Sequence, residues 1–286
     1  MKKPVLFEYL FALFLYGTIG VFLHFVSYSS EFVVLCRGLL GSLFIIMVML
    51  IRKQYPDYAA IRHNLAYLIF SGFMLGLNWV FLFAAYRYSV AISSLCNYLA
   101  PLIVVIISAL FYGEKINIKQ IICIITAFIG VLLLLGIFDQ SSQVPVKSVV
   151  YGLLAAGCFV FIVLCNRKLE NISGLDRTLV QLLASAVIVL PYVIFNKGFP
   201  QHFDPLSTII VLILGFVHTG VAYICYFAAI GQLSAETIAV LGYLEPALNV
   251  LFGALILKEP LSLSGLIGAI LILGASVGNE YFANEE

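Results

Sequence analysis

Ten long apolar runs fill most of this chain, at roughly 6–26, 31–51, 64–86, 89–112, 117–138, 148–166, 175–195, 206–230, 234–257 and 261–281. Each approaches the ~20 residues that a helix needs to cross ~30 Å of hydrocarbon. Polar residues and turn formers interrupt them, as at Arg52-Lys53-Gln54-Tyr55-Pro56-Asp57, between Asp139 and Lys147, and at Asn196-Lys197-Gly198-Phe199-Pro200. Helices are the only elements that fit, because backbone groups facing lipid must be paired within their own segment. A β-barrel would show short alternating strands, and these runs are long and continuously apolar. Most breaks are short, so consecutive helices run antiparallel. The pattern predicts an all-α integral membrane protein of ten transmembrane helices.

The runs also repeat. Residues 84–131 align without gaps on 229–276 at an offset of 145. Tyr98-Leu99-x-Pro101 falls on Tyr243-Leu244-x-Pro246, Ser89 on Ser234, and Glu114 on Glu259. Ala109-Leu110 falls on Ala254-Leu255, and Ile122 and Ile125 fall on Ile267 and Ile270. Nearer the start of each half an offset of 140 pairs Gly17 with Gly157 and Arg37 with Arg177. The chain therefore divides into a first unit at 1–143 and a second at 144–286, each of five helices. Five is odd, so the second unit enters the membrane upside down. Inverted repeats of this kind are a transporter architecture, because the halves can exchange shapes and open the fold to either side.

Composition sharpens the picture. Residues of hydrophobic type make up 63% and charged ones only 10%, whereas soluble domains run near a quarter charged. Lys and Arg set the orientation. Ten of them (Lys2, Lys3, Arg52, Lys53, Arg62, Lys115, Lys119, Arg167, Lys168 and Arg177) fall on the side of the N-terminus; Arg87, Lys147, Lys197 and Lys258 fall on the other. Both termini are expected in the cytoplasm, with the protein in the cytoplasmic (inner) membrane. Lys2-Lys3 before an apolar run has the look of a signal peptide, but no small-residue cleavage site follows, and a first membrane helix fits better. A net charge of +1 gives no basic surface for nucleic acid. Cys36, Cys96, Cys123, Cys158, Cys165 and Cys225 all sit in apolar segments without a CxxC pair, which argues against a disulfide framework or metal site. No cofactor is implied.

Chemistry concentrates where polarity enters the spans. A charge in mid-membrane costs roughly 2.5–3.5 kcal/mol even on lenient scales. Glu245, about eleven residues into the ninth run, is one such residue. Its repeat counterpart is Ala100, so the symmetric scaffold does not require the acid. It is a candidate proton-coupling group or counter-charge for an amine; otherwise it is a neutral carboxyl tying helices together. Arg37 in the second run is the other, suited to a substrate carboxylate or a gate, or else to a structural ion pair. Arg177 lies at the end of its run, as an interfacial anchor would. Pro101 and Pro246 each remove a backbone donor and break the helix before them, freeing the carbonyls of Asn97 and Gly242. Paired breaks in corresponding positions of two halves point to a transporter site. Gly242, Glu245 and Asn249 share a helical face, as do Ser93 and Asn97. Tyr98, Tyr243, Asn78, Trp79, Tyr16 and His218 complete the candidate substrate-binding set, and Tyr223 and Tyr226 lie close by in sequence to His218. Any one of these is as readily a packing residue. Glycine pairs such as Gly72 with Gly76 and Gly274 with Gly278 permit close helix packing or a homodimer contact.

The pattern resembles the drug/metabolite transporter superfamily, EamA type. The features that carry the resemblance are the five-plus-five layout, Arg37, and two motifs at matched spacing. These are Tyr98-Leu99-Ala100-Pro101 running to Gly113-Glu114, and Tyr243-Leu244-Glu245-Pro246 running to Lys258-Glu259. Tyr16-Gly17 stands where many members have Trp-Gly. The resemblance implies alternating access around a central cavity lined by the first, third, fourth, sixth, eighth and ninth helices. It also implies secondary transport, without a nucleotide site, of amino acids, amines, vitamins, nucleotide-type metabolites or drugs, often outward.

The expected function is thus a secondary active transporter of a small polar metabolite, an amino acid or amine, exported or exchanged and coupled to protons through Glu245. The alternatives are an intramembrane lipid-modifying enzyme or a non-transporting receptor. The first would need a nucleophile with its base, or a metal set, and the chain has no HExxH. The second has no use for inverted symmetry.

Overall fold

The computed structural model describes residues 3–112, 118–134, 145–195, 198–230, 233, 241–242, 244–259 and 262–283, and among these every regular element is helical. In chain order they are α1 (Lys3–His24), α2 (Ser30–Ile51), α3 (Tyr58–His63), α4 (Leu65–Tyr86), α5 (Val90–Asn97), α6 (Ala100–Tyr112), α7 (Ile118–Leu134), α8 (Val146–Asn166), α9 (Gly174–Phe195), α10 (Pro205–Gly215), α11 (Ala222–Ile230), α12 (Leu244–Leu255) and α13 (Leu263–Ala283). Phe216–Val221 form a π-helical turn that joins α10 to α11.

Among the described residues seven helical stretches are long and apolar enough to cross a membrane: Pro4–His24, Ser30–Ile51, Leu65–Tyr86, Val90–Ile107, Val146–Asn166, Gly174–Phe195 and Pro205–Tyr226. Ile118–Gly130, Leu244–Leu255 and Leu263–Gly278 are apolar but shorter. The side chains are arranged inside out relative to a water-soluble fold. Phe195 (84% exposed), Leu263 (75%) and Ile51 (74%) face outward, while Arg37, Asn78, Ser71 and Ser93 are buried. Such an apolar exterior is suited to lipid. The molecule is a multi-pass membrane protein.

Local signals explain the starts of the helices. Ser29 caps α2 by accepting from the Phe32 amide at 3.2 Å, and Asp204 caps α10 by accepting from Ser207 at 2.7 Å. The short α3, capped by Asp57, stands within what the hydropathy pattern leaves as a loop. Between α5 and α6 the helix is interrupted at Tyr98-Leu99, and Pro101 becomes the second residue of α6, where its missing N–H leaves no bond unmade.

Packing partners are reciprocal between the halves. The helix α2 lies on α9, α7 on α13, and α5 on α12. The pairing of α4 with α8 is mirrored by that of α11 with α1, and the pairing of α1 with α12 by that of α5 and α6 with α8. Glycines permit the closest crossings. A Cβ on Gly72 would lie 2.7 Å from the Gln181 carbonyl on α9, and one on Gly130 would lie 2.8 Å from the Gly268 carbonyl on α13. Gly72 and Gly76 therefore serve the α4–α9 contact within one chain.

The molecule has two ends. One holds the α8–α9 connection, where the Asn64 side chain pairs with the backbone N–H and C=O of Glu170. The other holds the starts of α2, α5, α8 and α10, and hydrogen bonds cross it. Ser27 meets Ser207 at 3.0 Å, Tyr28 meets Thr208 at 2.6 Å, and Arg87 donates to the Tyr28 carbonyl. The Glu259 carboxylate accepts from the Ser89 hydroxyl and Val90 amide at 2.7 Å and from the Ala91 amide at 3.1 Å, covering the start of α5.

Candidate functional site: a central polar and aromatic cavity

A cavity of about 690 Å³ runs between the two halves. Its wall draws on α1, α2, α4, the α5–α6 break, α8, α9 and α11, together with Gly242 and Glu245. The residues expected at the site that do line it are Tyr16, Arg37, Asn78, Trp79, Asn97, Tyr98 and Glu245, far apart in sequence and together in space.

Arg37 is only 2% exposed. Its guanidinium carbon lies 4.3 Å from the Trp79 ring centre and 5.1 Å from that of Phe83, within the range of cation–π attraction. Its Nε donates to the Thr219 hydroxyl at 2.9 Å. Thr219 belongs to the π-helical turn, and its hydroxyl in turn donates to the Leu214 carbonyl five residues back, at 2.9 Å. Single π-turns of this kind recur at functional sites. Close approach of α2 to the turn depends on Gly41, where a Cβ would lie 2.6 Å from a Thr219 methyl. No hydrogen-bond partner meets Arg37 Nη1 or the Tyr16 hydroxyl among the described residues.

Opposite polarity is supplied by Glu245, whose carboxylate accepts a hydrogen bond from the Tyr98 hydroxyl. Tyr98 is available for this because the α5–α6 break takes it out of the regular helix. The preceding residue, Asn97, accepts from Asn78 Nδ2 at 3.2 Å, and Asn78 also donates to the Ala155 carbonyl at 2.8 Å. This chain of amides ties α4, α5 and α8 around the cavity.

Other expected residues sit elsewhere. His218 is buried within the bundle, 3.0 Å from the Thr18 hydroxyl and edge-on to Phe22, and is not among the described wall residues. The π-helical turn rotates the residues around it relative to a regular helix, so a 3.6-residue period does not give its facing. Asn249 is buried a turn beyond Glu245, off the wall, with neither amide atom partnered among the described residues. Pro246 is buried near the start of α12. Tyr243 lies outside the described residues, as do Glu114 and Ser234.

Conversely, Arg177 is part of the wall and not merely an anchor at its helix end. It stands with Asn166, Arg167 and Gln181 where the cavity meets the α8–α9 end. Gln181 donates to Asn166 at 2.8 Å and to Ser71 at 2.7 Å. The pairing of Arg177 with Arg37 in the repeat was the signal available for it in the sequence. Among the described residues no cluster of three His, Cys, Asp or Glu side chains is placed to hold a metal ion.

Comparison with known proteins gives the family of the chain. The EamA-like transporter family matches the chain twice, over residues 4–136 and 146–279. Transporter YxxF of Bacillus subtilis is 27% identical over 277 residues, 95% of this chain and 88% of the relative. The aromatic amino acid exporter YddG of Escherichia coli is 26% identical over 204 residues, 68% of each chain. A crystal structure with 18% sequence identity superposes with a TM-score of 0.68, covering 100% of this chain and 99% of the other. With both halves matched and the long helices packed around one cavity, the chain belongs to the EamA-like transporter family.

Proposed function

We propose that the protein is a secondary active transporter that moves a small polar metabolite, of amino acid or amine type, out of the cell or in exchange, by alternating access. The observation that carries this reading is the cavity itself: a chamber of about 690 Å³ in the middle of a membrane protein, with Arg37 and Glu245 in its wall. Its size falls within the ~300–1,000 Å³ of small-molecule sites. YddG, the aromatic amino acid exporter, gives the amino acid class its support.

The same reading holds the fold to be ten spans in two inverted five-helix units, 1–143 and 144–286. Reciprocal packing of the halves and the double family match support it. The excess of Lys and Arg at the α8–α9 end supports a cytoplasmic position for that end and for both termini. The cavity then faces inward. Glu245 serves as the proton-coupling group, held by the hydrogen bond from Tyr98, and Asn78, Trp79, Asn97 and Tyr16 enclose the substrate.

Uptake into proteoliposomes tests the proposal. Radiolabelled amino acids and amines are screened with and without a proton gradient, in the wild type and in Glu245→Gln. Gradient-driven uptake that disappears in Glu245→Gln is the expected result. Gradient-independent uptake that still needs Glu245 would instead make it a binding group in a facilitated carrier.

A further inference from the structure

We infer that the cavity takes its substrate by a carboxylate: the ligand is an organic anion or zwitterion with an apolar, flat body, anchored on Arg37, and an amino group adds little. This rests on the transport reading above and narrows it.

The first observation is the balance of donors and acceptors on the wall. Several acceptors are already engaged. Glu245 accepts from Tyr98, Asn97 Oδ1 from Asn78, and Asn166 Oδ1 from Gln181. The donors are not. Arg37 Nη1 and the Tyr16 hydroxyl are buried without a partner among the described residues. A buried donor left unmade is costly, so the ligand that completes this site brings acceptors.

The second is charge. Arg37, Arg167 and Arg177 line the cavity, against the single carboxyl of Glu245 among the described wall residues. The buried guanidinium of Arg37 inside the cavity repels a free amine and attracts an anion.

The third is shape. Trp79 and Phe83 lie against the guanidinium of Arg37, and Thr219 fixes its Nε. What remains is the in-plane Nη edge, the geometry that a carboxylate fits and an ammonium cannot use. Leu13, Ile19, Leu75 and Leu82, with the surrounding tyrosines, supply apolar surface for the rest of the molecule.

Trp79 is the only tryptophan in the chain, and it touches both Arg37 and the cavity, so its emission reports binding directly. The purified protein in detergent is titrated with 3-phenylpropionate, phenylalanine and phenethylamine, which share a ring and differ in their charged groups. Excitation at the red edge of indole absorption leaves the phenyl rings dark. The two carboxylates are expected to shift the emission with similar affinity, and the amine to bind about tenfold more weakly or worse, the scale of one charge-assisted hydrogen bond. Arg37→Lys keeps the charge and loses the fork, and is expected to weaken both carboxylates. Arg177→Gln, at the less buried end of the cavity, should fold normally and weaken them less. Cooperative thermal melting of each variant shows that it is folded.

Phenethylamine binding as tightly as 3-phenylpropionate, or no response to any of the three, overturns the inference. The two readings fail differently. Carboxylate binding without proteoliposome transport of any compound leaves this site standing and removes the transporter; transport of an amine with no carboxylate response does the reverse.

Discussion

Glu245 and its partner Tyr98 make the sharpest residue-scale case. Tyr98 donates a hydrogen bond to the carboxylate of Glu245 without supplying a charge itself. Tyr98→Phe should therefore keep the fold and retain gradient-driven uptake with its rate reduced by about tenfold, the effect of one hydrogen bond to a charged group. Glu245→Gln should abolish the gradient response altogether. Equal losses in the two variants would mean that the pair acts as a structural tie. His218 offers a contrast. It is buried between Thr18 and Phe22, away from the described wall. His218→Gln keeps a group able to meet Thr18, and the pH profile of uptake should be unchanged; a displaced profile would put His218 in the proton path. Glu245 and Arg37 were legible from sequence because a charge inside an apolar run has few innocent explanations. His218 was less so, since a lone imidazole fits both a wall and a core, and only the tertiary structure says which.

At the scale of elements, the π-helical turn at Phe216–Val221 is what sequence periodicity missed. The run at 206–230 reads as one regular helix, and nothing in its composition marks an extra residue in the turn. Yet the turn positions Thr219 against Arg37. Replacing Thr219 with Val removes the acceptor for Nε and leaves a second buried guanidinium donor unmade. The expected cost is about 1–3 kcal/mol, read as a lower melting temperature in detergent, and carboxylate binding should weaken with it. A variant as stable as the wild type would show that the hydroxyl is incidental. The α5–α6 break was legible, because Pro101 announces it and the repeat places Pro246 at the matching position. The bonds of Glu259 were half legible. The alignment of Glu114 on Glu259 and of Ser89 on Ser234 marks these residues as a repeated feature. That the acid of the second half covers the helix start in the first is a fact of packing between the halves, which sequence spacing does not contain.

For the molecule as a whole, the difference between the ends decides how the cavity is reached. Asn166, Arg167 and Arg177 bring the wall to the α8–α9 end. At the opposite end Glu259 holds the start of α5, and Ser27, Tyr28 and Arg87 bridge to their neighbours. On the proposed alternating-access reading this end opens in turn, and the Glu259 bonds then break. Losing a helix-start acceptor costs about 1–2 kcal/mol, which shifts a two-state population about 5–30-fold. Glu259→Ala should therefore favour the form open at the Glu259 end. Leu82 lines the cavity and serves as a position to probe. With the six native cysteines replaced, a Leu82→Cys variant is labelled by a membrane-impermeant thiol reagent in vesicles of known orientation. Labelling is expected from the α8–α9 side, and only slowly from the other. Adding Glu259→Ala should raise the slow rate several-fold and lower the fast one, because opening one end closes the other. If both rates rise together, Glu259 merely stabilises the bundle; if neither moves, the closed end is held by Tyr28 and its neighbours instead.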